Sequence, residues 1–238
     1  MTIDLDAAFV ILLGRDPARG RYVREVLARE RLQASLFAAV DGRHLTLEAV
    51  AELRRDGYLT AGLEAERSRG QIACALSHVR LLEHILEMGC RSALVLEDDF
   101  VPAPGFRLEL AERLRRAPDG FDLIYLFNSN WPEPVLHAID GLEGLRRPVY
   151  PLGTVGYVVS RQGARRILEL VKPIYLTIDD MLAGHVQEGR LTAYTAWPML
   201  VREHDRFASN IRESGSLLPV MRDRAPGAGP EPESGLRC

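Results

Sequence analysis

The chain has 238 residues, 47% of them hydrophobic and 26% charged, with 30 basic against 33 acidic residues for a formal charge of -3. That length suits one large domain or two small ones, with a full core that needs no disulfide or metal staples, and the composition excludes collagen-like, disordered and membrane-embedded classes. The near-balance of charge leaves no basic excess for sequence-independent nucleic-acid binding.

Ala7 to Leu13 is a continuous apolar run, as expected of a strand buried on both faces, and Gly14-Arg15-Asp16-Pro17 stops it. A helical stretch follows with Tyr22, Val23, Val26 and Leu27 on one face. Ser35 to Val40 predicts a second strand, ended by the turn signal Asp41-Gly42, and Thr46 caps a short helix carrying Leu47, Val50, Ala51 and Leu53. Asp56 to Arg69 is polar and aperiodic, which predicts a surface excursion. From Gln71 the period of 3.6 returns in Ile72, Ala75, Leu76, Val79, Leu82, Ile85 and Leu86, with Gly89 placed to end that helix.

Ala93 to Leu96 predicts a buried strand with Glu97-Asp98-Asp99 at its carboxyl end, and Phe106 to Arg116 a helix. Asp122 to Phe127 is a strand again, whereas Asn128 to Pro148 shows no sustained period and predicts a long loop. Val155 to Val159 is a strand, Ser160 to Val171 a helix, Thr177 the opening of a short helix, and Leu191 to Trp197 the last strand. From Arg222 the tail is rich in Pro, Gly and Glu and predicts disorder, so the expected organisation is one folded domain over residues 1–221 and a tail over 222–238. Strands alternating with helices point to an α/β three-layer sandwich with a mainly parallel sheet, whose ligands bind at the carboxyl ends of the strands.

The three cysteines, Cys74, Cys90 and Cys238, show no metal spacing, and an odd count argues against a disulfide framework. Cys74 reads as a small buried hydrophobe. The acidic start lacks the basic region of a signal peptide, and no asparagine begins a glycosylation triplet. A reducing cytoplasm is the expected compartment. Lys172 is the only lysine, and Arg54-Arg55, Arg115-Arg116, Arg146-Arg147 and Arg165-Arg166 are scattered along the chain as solvated faces. An arginine bias of this kind fits a GC-rich bacterial genome.

Three segments could carry chemistry. In Leu94-Val95-Leu96-Glu97-Asp98-Asp99, strand alternation puts Glu97 and Asp99 on one side and Asp98 on the other. Carboxylates crowded at a buried strand end repel one another, and a divalent cation relieves that cost; oxygen ligands suit Mg²⁺ or Mn²⁺. A solvated acidic turn is the plain alternative. In the second segment, Ser77 and His78 lie on the long helix that leads into the acidic strand; as adjacent helical residues they cannot form a nucleophile–base pair, and a polar helix patch explains them equally. In Thr177-Ile178-Asp179-Asp180, Thr177 and Asp180 make a variant capping box and Asp179 complements the helix dipole, while either acid could also serve as a general base. The chain has no GxGxxG, P-loop, HExxH or GxSxG motif.

Taken in order, these segments resemble glycosyltransferase family 25, the lipooligosaccharide and procollagen galactosyltransferase group. The resemblance runs through Phe9 to Arg15 with Arg19 close behind, Ala39-Val40-Asp41-Gly42, Gly70 to His78, Leu94 to Asp99, Gly156 to Ser160 with Gly163-Ala164, and Ile178-Asp179 followed by Leu182. Leu12 stands where the family usually has asparagine, Ala73 where it has glycine, and Leu82 where a bulkier residue is frequent.

The resemblance implies a GT-A fold and inverting transfer of a hexose, commonly galactose, from a UDP-sugar to a hydroxyl of a glycan acceptor such as lipooligosaccharide or another cell-surface saccharide. It implies a Mn²⁺ or Mg²⁺ ion held by Asp99 and Glu97, and donor contacts from Arg15, Arg19, Asp41, Ser77, His78, Glu97 and Asp98. Asp179 is the first choice for the base and Asp180 the second. His185 and His204 are further candidate metal ligands. The implied setting is bacterial and cytoplasmic, with peripheral contact to the inner membrane surface and no nucleic-acid partner. A metal-dependent nucleotidyltransferase or phosphohydrolase could use the same acidic strand end, and a non-catalytic sugar-nucleotide-binding protein is the third reading.

Overall fold

The computed structural model describes residues 5–63, 67–129, 136–139, 141–205 and 207. Its centre is an eight-stranded sheet. In chain order the elements are β1 (Ala7–Leu12), α1 (Pro17–Glu30), β2 (Ser35–Ala38), a 3₁₀ turn (Gly42–His44), α2 (Leu47–Arg55) and α3 (Arg69–Glu87). Then come β3 (Ser92–Glu97), β4 (Phe100–Pro102), α4 (Phe106–Arg116), β5 (Leu123–Tyr125), β6 (Leu136–Ala138) and β7 (Leu145–Pro148). The last are β8 (Gly156–Ser160), α5 (Arg161–Val171), α6 (Ile178–Gln187), β9 (Ala193–Ala196) and β10 (Val201–Glu203).

The sheet runs β2-β1-β3-β8-β5-β9-β7-β6. Six of its strands point one way, while β8 and β7 run against their neighbours. The sheet is therefore mainly parallel, with β8 pairing antiparallel to both β3 and β5 at the centre.

Alternation along the strands sorts the core into two layers. Phe9, Ile11, Val95, Leu123, Tyr157 and Val159 pack against apolar residues of α2, α3, α5 and α6. Ala8, Val10, Leu94, Leu96, Ile124 and Val158 pack on the other face with Val23 and Val26 of α1 and Phe106, Leu110 and Leu114 of α4. Helices on both faces explain why β1 and β3 read as unbroken apolar runs. The result is the α/β/α sandwich of a GT-A-like fold.

Local chemistry sets the helix ends. Asp16 accepts from the N–H groups of Ala18 and Arg19, and Pro17 opens α1. Ser68 and Gln71 exchange bonds in a complete capping box that starts α3. Gly89, at φ 72°, turns the chain out of that helix.

Several expectations are corrected. Residues 56–63 are no polar excursion: Leu59 and Leu63 are buried, and Leu59 bridges to Ile174. The stretch read as a loop from 128 to 148 contains β6 and β7, which extend the sheet. β9 is not the last strand, because β10 follows and pairs antiparallel with β4 in a separate two-stranded ribbon. The tail over 222–238 lies outside the described residues. Among the described residues no helix is long and apolar enough to cross a membrane.

Candidate active site

The parallel strands deliver their carboxyl ends to one edge, and there β3 ends at Glu97. Asp98 and Asp99 form the turn into β4, so strict alternation stops after Glu97. Asp98 points toward α1. Its carboxylate accepts from Leu13 N–H at 3.0 Å and makes a very close ion pair with Arg19. Asp99 reaches the same guanidinium at 3.3 Å, instead of sharing the side of Glu97 that alternation predicted. Arg19 itself is only 3% exposed and also pairs with Asp16 at 3.5 Å. Removing one member of a buried pair such as Arg19–Asp98 typically costs about 3–5 kcal/mol.

Glu97 faces the other layer. Its Oε1 accepts from the Thr154 hydroxyl at 2.5 Å and lies 3.3 Å from His78 Nε2. His78 is 1% exposed, and its Nδ1 sits 3.0 Å from the Tyr157 hydroxyl. Since Glu97 can only accept when ionised, these partners assign the proton to Nε2, with Nδ1 accepting from Tyr157.

The two layers' polar groups meet in two adjoining cavities. The first, about 220 Å³, includes Arg19, Glu97, Asp98, Asp99, His204 and Phe207 in its lining. The second, about 260 Å³, is lined by Gln71, Thr154, Thr177, Asp179 and Asp180 among others. Cys74, Glu97 and Glu203 line both, so they form the wall between them. Cys74 is therefore half-buried on that wall, where a buried hydrophobe was expected.

Burial raises the Asp99 carboxyl to about 7, with repulsion from Glu97 and Asp98 adding to the rise and Arg19 opposing it. Asp98 is also raised by burial, against the pull of Leu13 N–H and Arg19. Burial pushes Glu97 the same way, but the bonds from His78 and Thr154 and the charge of Arg19 bring it below its ordinary value. The chemistry of the two fits a divalent cation: Asp99 Oδ1 is buried with no hydrogen-bond partner, and Glu97, held below its ordinary value, lines the same cavity. A cation there would relieve both the orphaned oxygen and the repulsion.

The other candidates are placed as follows. Arg15 and Asp41 pair with each other at 3.7 Å, and Asp41 caps the 3₁₀ turn and is gripped by Arg43; neither lines the two cavities. Ser77 lines the first cavity, but its hydroxyl donates to Ala73 O and accepts from Val40 N–H, which ties α3 to the segment after β2. His185 is buried against Tyr175 and the Leu170 carbonyl, away from both cavities. His204 lines the first, in an aromatic cluster with Tyr22 and Phe207.

Asp180 takes the capping role. It receives the Thr177 hydroxyl at 2.6 Å and that of Tyr150 at 3.4 Å. Asp179 lines the second cavity with no hydrogen bond among the described residues. Sequence reasoning missed Thr154, Tyr157, Glu203 and Phe207. Glu203 lies on β10, whose three residues Val201-Arg202-Glu203 carry no strand pattern.

An α/β sandwich with an acidic, arginine-braced cleft at the carboxyl edge of its sheet defines an α/β protein built to bind a ligand there. More particularly, the chain belongs to glycosyltransferase family 25: the model of that family, described as an LPS biosynthesis protein, matches residues 6–135. A "Glycosyltransferase 25 family member" of Drosophila melanogaster is 30% identical over 187 residues, 76% of this chain and 30% of that protein. "Inactive glycosyltransferase 25 family member 3" of Mus musculus is 32% identical over 186 residues, 74% and 31% of the two chains. "Procollagen galactosyltransferase 1" of Danio rerio is 27% identical over 218 residues, 82% and 36%. The chain thus spans about a third of the length of these relatives.

Proposed function

We propose that this chain transfers a hexose, galactose in the first instance, from a UDP-sugar to a hydroxyl of a glycan acceptor, with inversion at the anomeric carbon. One observation carries the reading: Glu97 stands on the wall between two cavities, with Arg19 and Asp99 in one and Asp179 in the other. We take the first cavity as the donor side and the second as the acceptor side. Family membership supports the class of reaction. The acceptor we favour is a cell-surface saccharide such as lipooligosaccharide, and we treat residues 1–221 as one transferase unit at the cytoplasmic membrane surface.

Arg19, fixed by Asp16, Asp98 and Asp99, keeps a positive charge in the cleft where the departing diphosphate gains negative charge. Asp99 and Glu97 would hold Mn²⁺ or Mg²⁺, which supplies Lewis-acid stabilisation of the leaving phosphate when bound. Asp179, facing the other cavity, takes the proton from the acceptor hydroxyl as its oxygen attacks from the side opposite UDP. Asp180 holds the first turn of α6 and so fixes the backbone from which Asp179 projects.

The test is UDP release from a panel of UDP-sugars with Mn²⁺, with and without excess chelator. Release from one donor that stops on chelation and in Asp99→Asn is the expected result. Free monophosphate or pyrophosphate in place of UDP would assign the site to nucleotidyl transfer or phosphohydrolysis. Saturable UDP binding with no turnover of any donor would assign it to a non-catalytic binder.

A further inference from the structure

Cys74, His78 and Glu97 bring a sulfur, a nitrogen and an oxygen within 4.8 Å of one another. Cys74 and His78 are four residues apart on α3, so one face of the helix presents both, and the end of β3 supplies Glu97. We propose that this trio is a soft-cation site, which shares Glu97 with the carboxylate pair at Asp99 and competes with it, and that its ligand is Zn²⁺ or an ion of similar softness.

The donor set separates the two sites. Mg²⁺ and Mn²⁺ take oxygen, whereas a mixture of thiolate, imidazole and carboxylate is typical of zinc. Tetrahedral zinc holds a nitrogen and an oxygen donor about 3.3–3.5 Å apart, and a sulfur about 3.5–3.7 Å from either, given its bond lengths. His78 Nε2 and Glu97 Oε1 are already 3.3 Å apart, so only the Cys74 rotamer has to adjust.

Outer partners orient both of the other donors. The Tyr157 hydroxyl holds His78 Nδ1 at 3.0 Å, and the Thr154 hydroxyl holds Glu97. Such outer contacts point ligands at an ion and are a regular feature of metal sites. Entry is open, because Cys74 and Glu97 line both cavities. Burial pushes the Cys74 thiol well up, the carboxylates of Glu97, Asp179, Asp99 and Asp98 add to the rise, and the same negative field attracts a dication.

Binding releases the thiol proton to solvent. It also moves the imidazole proton from Nε2 to Nδ1, where the Tyr157 oxygen accepts it. An ion in this place takes Glu97 away from the Asp99 site and stands on the wall between the two cavities. The consequence is a block by soft metal of whatever chemistry the cleft performs, so the inference does not depend on the transferase reading.

The experiment uses the full chain after chelator treatment and titrates it with Co²⁺ alone. A thiolate-to-cobalt band in the near ultraviolet is expected, displaced by Zn²⁺ but not by Mg²⁺, lost in Cys74→Ala and retained in Asp99→Asn. In parallel, alkylation of wild-type Cys74 by iodoacetamide is followed on its own peptide by mass spectrometry, which separates it from Cys90 and Cys238. Zn²⁺ should slow it about tenfold or more, because a coordinated sulfur is no longer a free nucleophile. Absence of the band in the wild type, a band that survives Cys74→Ala, or an alkylation rate indifferent to Zn²⁺ would overturn the proposal. The alkylation arm needs no variant and decides alone if Cys74→Ala does not fold.

Discussion

Asp179 and Asp180 are adjacent carboxylates with different employment. Asp180 is committed to Thr177 and Tyr150, while Asp179 faces the second cavity with no hydrogen bond among the described residues. Asp179→Asn keeps the shape and much of the dipole contact but cannot take a proton. We predict near-wild-type melting and UDP binding with turnover lowered about 10²–10⁴-fold, the usual cost of losing a general base. Turnover within a few-fold of wild type would pass the role to Asp180. For Asp99 the prediction concerns pH. Its folded value of about 7 lies above the model-peptide value of 3.8, so between those two the folded chain binds more protons than the unfolded one. Stability contributed by this group therefore falls as pH rises from about 4 to 7. Asp99→Asn in chelator should melt higher than wild type at pH 8, and the gap should close below pH 4. An equal gap at both ends would show that the carboxyl is not displaced. Neither assignment was legible in the residues alone, because Thr-Ile-Asp-Asp offers two acids for one cap, and strand alternation cannot foresee that β3 stops at Glu97 and lets Asp99 swing to Arg19.

At the scale of elements, close approach sets what each position tolerates. A Cβ built on Gly163 would lie 2.1 Å from the Asp122 carbonyl oxygen, which shows how tightly α5 sits on the chain entering β5. Gly184, inside α6, has nothing within 4 Å of that point. Gly163→Ala should lower stability by about 1–3 kcal/mol through overpacking, whereas Gly184→Ala should raise it by about 0.5–1 kcal/mol through helix propensity. Denaturant midpoints check both, and the same sign for the two variants would refute the packing argument. The elements readable in advance included β1, β3, β8, α3 and α5, which have a strong period or burial on both faces. β4, β6, β7 and β10 were not, since each is short and lacks an apolar run of its own to set it apart from a loop. β7 carries Arg146 and Arg147, and β10 carries Arg202 and Glu203, so pairing rather than apolar pattern makes them strands. That omission hid Glu203, which reaches both cavities only because β10 pairs with β4.

For the molecule as a whole, ligand linkage measures whether the cleft works as one site. UDP with Mn²⁺ at about a hundred times its dissociation constant adds about 2.7 kcal/mol to stability. At about 2–4 °C per kcal/mol for a chain of this size, melting should rise by about 5–11 °C. UDP in chelator should give a much smaller shift if the Asp99–Glu97 pair needs its cation to receive a diphosphate. Equal shifts would detach the nucleotide from the acidic turn.

Synthesis from the amino end gives the antiparallel β8 a further consequence. β3 is complete at residue 97, but its partner on that side does not begin until Gly156. At ribosomal rates of about 5–20 residues per second, those intervening residues take about 3–12 s to appear. Throughout that delay the nascent chain presents Leu94, Val95 and Leu96 on an open strand edge, the type of surface that recruits other chains into aggregates. Glu97, Asp98 and Asp99 end that edge with three carboxyl groups, and charge flanking an unavoidable apolar strand acts as a gatekeeper. Neutralising the turn would then cost soluble yield during expression even in variants whose finished fold is the more stable.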